Sequence, residues 1–149
     1  MMLNPFDLKS ALLAKHAQHV VLIHFPIALY LAGTFFDLCA RVFRKANFGE
    51  VVRWNFLGAA IMSLPTAATG LLAWRWALEG QTLKGLLKLH LILACAVIIG
   101  TWATVWLRSR SKTGSSGPSL PSLLIMECAV SLLIGLTAHV GGFLSGVNV

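Results

Sequence analysis

Residues 89–107 read LHLILACAVIIGTWATVWL, a stretch of 19 residues without a charged side chain. A helix rises about 1.5 Å per residue, so this stretch nearly crosses the roughly 30 Å hydrocarbon core of a bilayer. Three further uncharged stretches have comparable lengths: 20–36, which continues past Asp37 to about Phe43, 54–74, and 128–149. The sequence therefore predicts four membrane-spanning segments.

The composition excludes a soluble domain. Hydrophobic residues make up 57% of the 149 residues and charged residues 11%, and the mean hydropathy is +0.79, whereas soluble domains carry about 25% charged residues. The net charge is +7. It comes from Lys and Arg in short flanks between the apolar stretches, where membrane proteins keep them for topology, so no nucleic-acid partner is expected.

Inside hydrocarbon every backbone N–H and C=O group must be paired within the protein, so these few segments are expected to cross as helices. We therefore predict one all-α domain over residues 1–149, an integral membrane four-helix bundle with a short N-terminal interfacial helix. Residues 108–122 are rich in Ser, Gly and basic residues and predict a flexible loop. No internal repeat is evident. The predicted spans are 20–43, 52–78, 86–107 and 121–142.

The segment that precedes the first span resembles a surface helix. Asn4 and Pro5 are typical of a helix start, and Leu8 and Leu12 lie on one helical face. The sequence therefore predicts an amphipathic helix over residues 5–18 on the membrane surface. A cleavable signal peptide is not expected, because the first long apolar stretch starts late, is too long, and lacks a small-residue cleavage site.

The basic residues favour one orientation of the bundle. The two loops on one side carry seven Lys and Arg residues, and the other side carries five, partly offset by Asp7 and Glu79. By the positive-inside rule the side with seven faces the cytoplasm, so both termini face outward. The seven are Arg41, Arg44, Lys45, Arg53, Arg108, Arg110 and Lys112.

This topology brings three histidines to one depth. His24, His90 and His139 each lie about one turn inside the outer end of a different span, and His16 and His19 precede the first span on the same side. Two neutral imidazoles from different helices can hold a b-type haem iron from both faces. The alternatives are a non-haem metal or proton site, or histidines that pack and hydrogen-bond without a cofactor.

Four other features of the spans lead to expectations. Asp37 and Arg41 are four residues apart and are predicted to pair near the cytoplasmic end. Glu127 has no obvious partner in the sequence; it could face Arg53 or another subunit, or hold a proton. Pro26 is expected to leave a backbone carbonyl free in the first turns of the first span. The three cysteines are isolated and suggest no disulfide framework.

Residues 16–29, HAQHVVLIHFPIAL, resemble the signature of a family of small bacterial four-helix membrane proteins, filed as domain of unknown function 2231. The residues Phe-Asp-Leu at 36–38 follow as in that family. Thr-Gly-Leu at 69–71, His90 and the Gly-Gly pair at 141–142 are similar to its later landmarks.

The resemblance implies a bacterial membrane protein with four helices and no established reaction. It makes His24 and His90 the leading pair of haem ligands and leaves His139 as a third candidate. It also suggests that His16 and His19 could bind a metal at the membrane surface or reach an exposed haem edge. The chain departs from the family pattern because it lacks the prolines that follow these two histidines.

The function predicted is a small membrane subunit of a redox or energy-converting complex, with one haem b near the outer face that passes electrons. It is not expected to be an enzyme on its own. Its location is the bacterial inner (cytoplasmic) membrane, with both termini periplasmic, and its partners are the lipid bilayer and other membrane or periplasmic protein subunits. The alternative is a cofactor-free scaffold that anchors larger partners. A transporter has little support, because no row of polar residues follows one helix face.

Overall fold

A computed structural model describes residues 17–43, 48–76, 79–111 and 120–145. Within these residues the chain is all-α, and four helices are long and apolar enough to cross a membrane. The predicted four-span helical fold is therefore confirmed. The first span consists of α1 and α2 together. The helices are α1 (Ala17–Leu22), α2 (His24–Val42), α3 (Gly49–Trp76), α4 (Gly85–Ser111) and α5 (Leu120–Leu144).

Pro26 causes the interruption between α1 and α2 at Ile23. Proline lacks the N–H group that would bond the carbonyl of Leu22 one turn earlier. The hydroxyl of Thr66 on α3, which donates its proton to the Met62 carbonyl at 2.8 Å, lies 3.4 Å from this Leu22 carbonyl. The carbonyl that Pro26 leaves without its helical partner, as expected, therefore lies next to a polar side chain of the neighbouring helix.

The spans pack around the bundle in chain order. The helix α2 packs against α3, α3 against α4, and α4 against α5, and α5 closes the bundle against α2. The helices α2 and α4 therefore stand diagonally opposite each other. The bundle consists of two hairpins, one made from the first span and α3, the other from α4 and α5.

The centre of the bundle joins apolar packing to a few hydrogen bonds. The ring of Tyr30 meets that of Phe56 edge-on at a centroid distance of 4.9 Å, and both side chains are buried. The Tyr30 hydroxyl lies 2.8 Å from Thr104 Oγ1 on the diagonal helix. Because Thr104 already donates its proton to the Gly100 carbonyl at 2.8 Å, Tyr30 is the donor in this contact. Large apolar side chains cover the outside, as expected of a surface that faces lipid.

The two hairpins repeat one arrangement, which the sequence did not reveal. In each hairpin a histidine ring bonds to a backbone carbonyl 47 residues later, and a glycine four residues beyond that carbonyl lies against the ring. Each member of the second set lies 71 residues after its counterpart in the first. The sets are His19, Thr66 and Gly70 in the first hairpin and His90, Thr137 and Gly141 in the second.

Burial follows the same spacing. Most of the buried residues of the first hairpin have a buried counterpart 71 positions later, although the residue types differ. The two hairpins therefore occupy equivalent positions about an axis along the membrane normal, as parallel repeats do in other membrane proteins. The matched buried pairs are Tyr30 and Thr101, Gly33 and Thr104, Val52 and Leu123, Phe56 and Glu127, Ala59 and Val130, and Ser63 and Ile134.

Two predicted segments fall partly outside the described residues. The amphipathic segment 5–18 lies outside them except for Ala17 and Gln18. Of the predicted loop at 108–122, residues 112–119 lie outside them as well. The helix α4 continues to Ser111, so Arg108 is helical and its side chain turns into the bundle.

The close approach of α4 and α5 generates a prediction for Gly100. A Cβ at this position would lie 2.7 Å from Cγ2 of Val130, which is buried. We expect Gly100→Ala to lower the free energy of unfolding by about 1–3 kcal/mol, because the added methyl overpacks a filled interface. Denaturant titration of the protein in detergent measures this loss.

Two variants control for the change of residue type. Gly135→Ala places its Cβ where no atom lies within 4 Å and should not destabilise the protein. Adding Val130→Ala to Gly100→Ala should recover part of the loss, because it removes the methyl groups that the new Cβ meets. A Gly100→Ala variant as stable as Gly135→Ala would contradict the packing.

Candidate functional site

His90 points from α4 toward α5 near one end of the bundle. Its ring Nδ1 lies 3.2 Å from the backbone carbonyl of Thr137. A Cβ at Gly141 would lie 3.1 Å from His90 Cε1, so the absence of a side chain there lets the ring lie against the α5 backbone. The ring is thus fixed by one hydrogen bond and one close backbone contact.

His19 has the same environment in the first hairpin. Its Nδ1 lies 3.1 Å from the backbone carbonyl of Thr66 and 3.3 Å from Thr69 Oγ1. A Cβ at Gly70 would lie 2.9 Å from His19 Cε1. The Thr69 hydroxyl is itself within donor distance of two α3 carbonyls, at 3.0 Å each, so it can act toward the ring only as an acceptor.

These contacts determine which ring nitrogen carries the proton. A backbone carbonyl only accepts hydrogen bonds, so Nδ1 is the protonated nitrogen in both His19 and His90. In the neutral ring, Nε2 then keeps its lone pair. An N–H group held by a carbonyl is the arrangement that fixes the tautomer and orientation of metal-ligating histidines. Both rings therefore have the tautomer that an Nε2-bound metal requires.

The two rings belong to helices that stand diagonally opposite in the bundle. His19 lies in α1, which continues into α2, and His90 lies in α4. We call this end of the bundle, defined by His19 and His90, the histidine end.

The other predicted site residues lie elsewhere. His24 is exposed, and its Nδ1 bonds to the Val20 carbonyl of α1, within the same span, at 2.7 Å. His139 is also exposed, and its ring meets Phe143 edge-on at 5.1 Å. His16 lies outside the described residues. The structure thus gives His90 and His19 the same environment, although the sequence assigned His19 to a separate metal site, and it turns His24 toward the surface.

The opposite end of the bundle holds a group of four charged side chains. Arg41 Nη2 lies 2.6 Å from Asp37 Oδ2, which confirms the predicted pair. Arg108 Nη2 lies 2.6 Å from Asp37 Oδ1 and 2.7 Å from Glu127 Oε1. Arg108 thus links Asp37 on α2 to Glu127 on α5. We call Asp37, Arg41, Arg108 and Glu127 the charged cluster.

Sequence reasoning missed the partner of Glu127. It placed Arg108 in a loop because basic and small residues follow it, and it considered Arg53 instead. One signal was available: Arg108 and Glu127 are 19 residues apart around a short connection, as facing positions of a hairpin are. The signal for the His19 site was the spacing of 71 residues, at which His19, Thr66 and Gly70 recur as His90, Thr137 and Gly141.

The contact between glycine and ring predicts a selective effect of Gly70→Ala. The new Cβ would lie 2.9 Å from His19 Cε1, so the ring must move and its hydrogen bond to the Thr66 carbonyl must weaken. In ¹⁵N NMR spectra of histidine-labelled protein, we expect the His19 ring signals to shift while those of His90 stay. Gly135→Ala, a helical glycine with open space around it, should leave all ring signals in place. Unchanged His19 signals in Gly70→Ala would show that the ring does not lie against α3.

Comparison with known proteins agrees with this fold. The family model described as "Predicted membrane protein (DUF2231)" matches residues 15–147, which is nearly the whole chain. No curated protein and no solved structure matches the sequence. The matched residues include both hairpins, His19 and His90, and the charged cluster. The chain therefore belongs to the DUF2231 family of predicted membrane proteins.

Proposed function

We propose that this membrane protein is a subunit of a redox complex and binds one b-type haem through His19 and His90. The observation that carries the proposal is the matched pair of rings. Each ring donates its Nδ1 proton to a carbonyl of the neighbouring helix, at 3.1 Å from Thr66 and 3.2 Å from Thr137. Each therefore keeps Nε2 as a ligand atom, and the two belong to helices on opposite sides of the bundle axis.

The donor set favours haem over a bare metal ion. Among the residues that the structure describes, no group of three or more His, Cys, Asp or Glu side chains comes together. Two imidazoles alone fall short of the four protein ligands of a structural zinc site or the three of a catalytic one. A haem iron already has the four porphyrin nitrogens, so two axial histidines complete its coordination.

The contacts of the two rings support their role as oriented ligands. Gly70 and Gly141 leave room for the rings against α3 and α5, and the outward faces of the helices are apolar. The carbonyl contacts orient the rings before any ligand binds, which lowers the entropic cost of coordination. When bound, the haem would supply one-electron transfer, and the protein would supply its axial ligands and its position in the membrane.

The distribution of basic residues supports an orientation for this site. The loops next to the charged cluster carry more Lys and Arg than the histidine end does. The positive-inside rule then orients the histidine end toward the periplasm of a bacterial inner membrane. In that orientation the haem would exchange electrons with a periplasmic or membrane-bound partner protein.

Absorbance spectroscopy on single-residue variants tests the proposal. We expect protein purified from haem-replete cells to show a Soret band in both redox states, and we expect His19→Ala and His90→Ala each to lose it. His24→Ala and His139→Ala are the matched controls, because both rings are exposed, and they should keep the band.

Two outcomes contradict this assignment. Absence of a Soret band from folded wild-type protein would remove haem and favour the cofactor-free scaffold. Loss of the band in His24→Ala, with the band retained in His19→Ala, would identify His24 and His90 as the ligands, which is the pair that the family pattern implies. Circular dichroism of each variant distinguishes ligand loss from unfolding.

A further inference from the structure

The charged cluster lies far from the histidine end. Eighteen residues of helix separate His19 from Asp37, and the same number separate His90 from Arg108, so the two groups are roughly 27 Å apart along the bundle. The proposed haem ligands therefore use none of the cluster. Ionisable side chains inside a membrane protein are costly and mark functional positions such as proton sites.

The two acids of the cluster have unequal partners. Both carboxylate oxygens of Asp37 are in ion pairs: Oδ2 with Arg41 at 2.6 Å and Oδ1 with Arg108 at 2.6 Å. Glu127 contacts the same guanidinium through Oε1 alone. This oxygen accepts a hydrogen bond from Arg108 Nε at 2.8 Å and lies 2.7 Å from Arg108 Nη2. Its Oε2 is buried and has no hydrogen-bond partner among the described residues.

We propose that Glu127 is a proton-binding site inside the bundle. A hydronium ion gives its proton to Oε2, where an O–H bond forms and a water molecule is released, while Oε1 keeps its contact with Arg108. Asp37 differs from Glu127 because each of its two oxygens already has an arginine. With Glu127 ionised, the two arginines and two carboxylates of the cluster balance; with Glu127 protonated, the cluster carries one net positive charge.

The neighbours of Glu127 agree with this assignment. Its side chain has no solvent exposure, so the ionised form depends on Arg108 for stabilisation. The facing groups are Asp37, Arg41 and the Tyr30 hydroxyl from α2, Arg108 from α4, and the uncharged ring of Phe56 from α3. The Arg108 guanidinium also lies over the Phe56 ring at 5.0 Å, which holds it beside Glu127 in either protonation state.

The repeat gives Glu127 an apolar counterpart. The residue 71 positions earlier is Phe56, which is buried at the same position in the first hairpin. The repeated arrangement alone therefore does not require an acid at this position. Asp37 and Arg108 are themselves counterparts. They form an ion pair with each other that does not involve Glu127.

A carboxyl ¹³C NMR titration tests the proposal directly, because the chain has only three glutamates, Glu50, Glu79 and Glu127. In full-length protein labelled at glutamate Cδ and held in lipid nanodiscs, Glu127→Gln identifies the Glu127 signal by its loss. We expect that signal in the wild-type protein to move between its ionised and protonated positions within the pH range where circular dichroism shows a folded helical protein.

The exposed glutamates serve as matched controls. Glu79→Gln should remove one surface signal and leave the Glu127 titration unchanged. A Glu127 signal that stays at one position throughout the folded pH range, whether ionised or protonated, would overturn the proposal. The test needs no bound haem, so its outcome is independent of the function proposed for the histidine end.

Discussion

Hydrocarbon offers no hydrogen-bond partner, and this constraint accounts for most of the arrangement. Helices satisfy nearly all of the backbone, and polar side chains must find their partners on neighbouring helices. The carbonyl freed by Pro26 lies 3.4 Å from the Thr66 hydroxyl, and the His19 and His90 rings donate to carbonyls on α3 and α5. The same need draws Arg108 inward, because a buried Glu127 without a cation would be costly. Polar contacts thus occur where neighbouring helices meet, and those contacts orient the helices in the bundle.

The repeated hairpin explains why polar groups gather along the bundle axis. Equivalent residues of the two hairpins lie on opposite sides of that axis. A histidine or a charged residue in one hairpin therefore has its counterpart at the same end of the bundle. At one end the counterparts are identical, as His19 and His90. At the other they carry opposite charges, Asp37 and Arg108, whose ion pair joins the diagonal helices. The two ends therefore carry the two proposals, haem ligation at one and proton binding at the other.

Much of the fold could be predicted because it depends on local composition. Stretches without charge, such as 89–107, predict spans by length alone, and the spacing of Asp37 and Arg41 predicts their ion pair. The family pattern also pointed to histidines near one end. The contacts of the His19 and His90 rings with α3 and α5 could not be predicted, because the direction of a ring depends on the rotation of its helix. Pro26 interrupts the first span between His19 and His24, and regular helical counting across that interruption does not give the orientation of either ring.

The sequence by itself determined the membrane, the number of spans and the limits of the hydrophobic stretches, since those follow from the transfer of side chains out of water. Only the tertiary structure decided which polar side chains face each other. It turned His19 inward and His24 outward, and it placed Arg108 between Asp37 and Glu127. The physical reason is that hydropathy acts residue by residue, whereas a hydrogen bond or an ion pair forms only between groups that helix packing brings within about 3 Å.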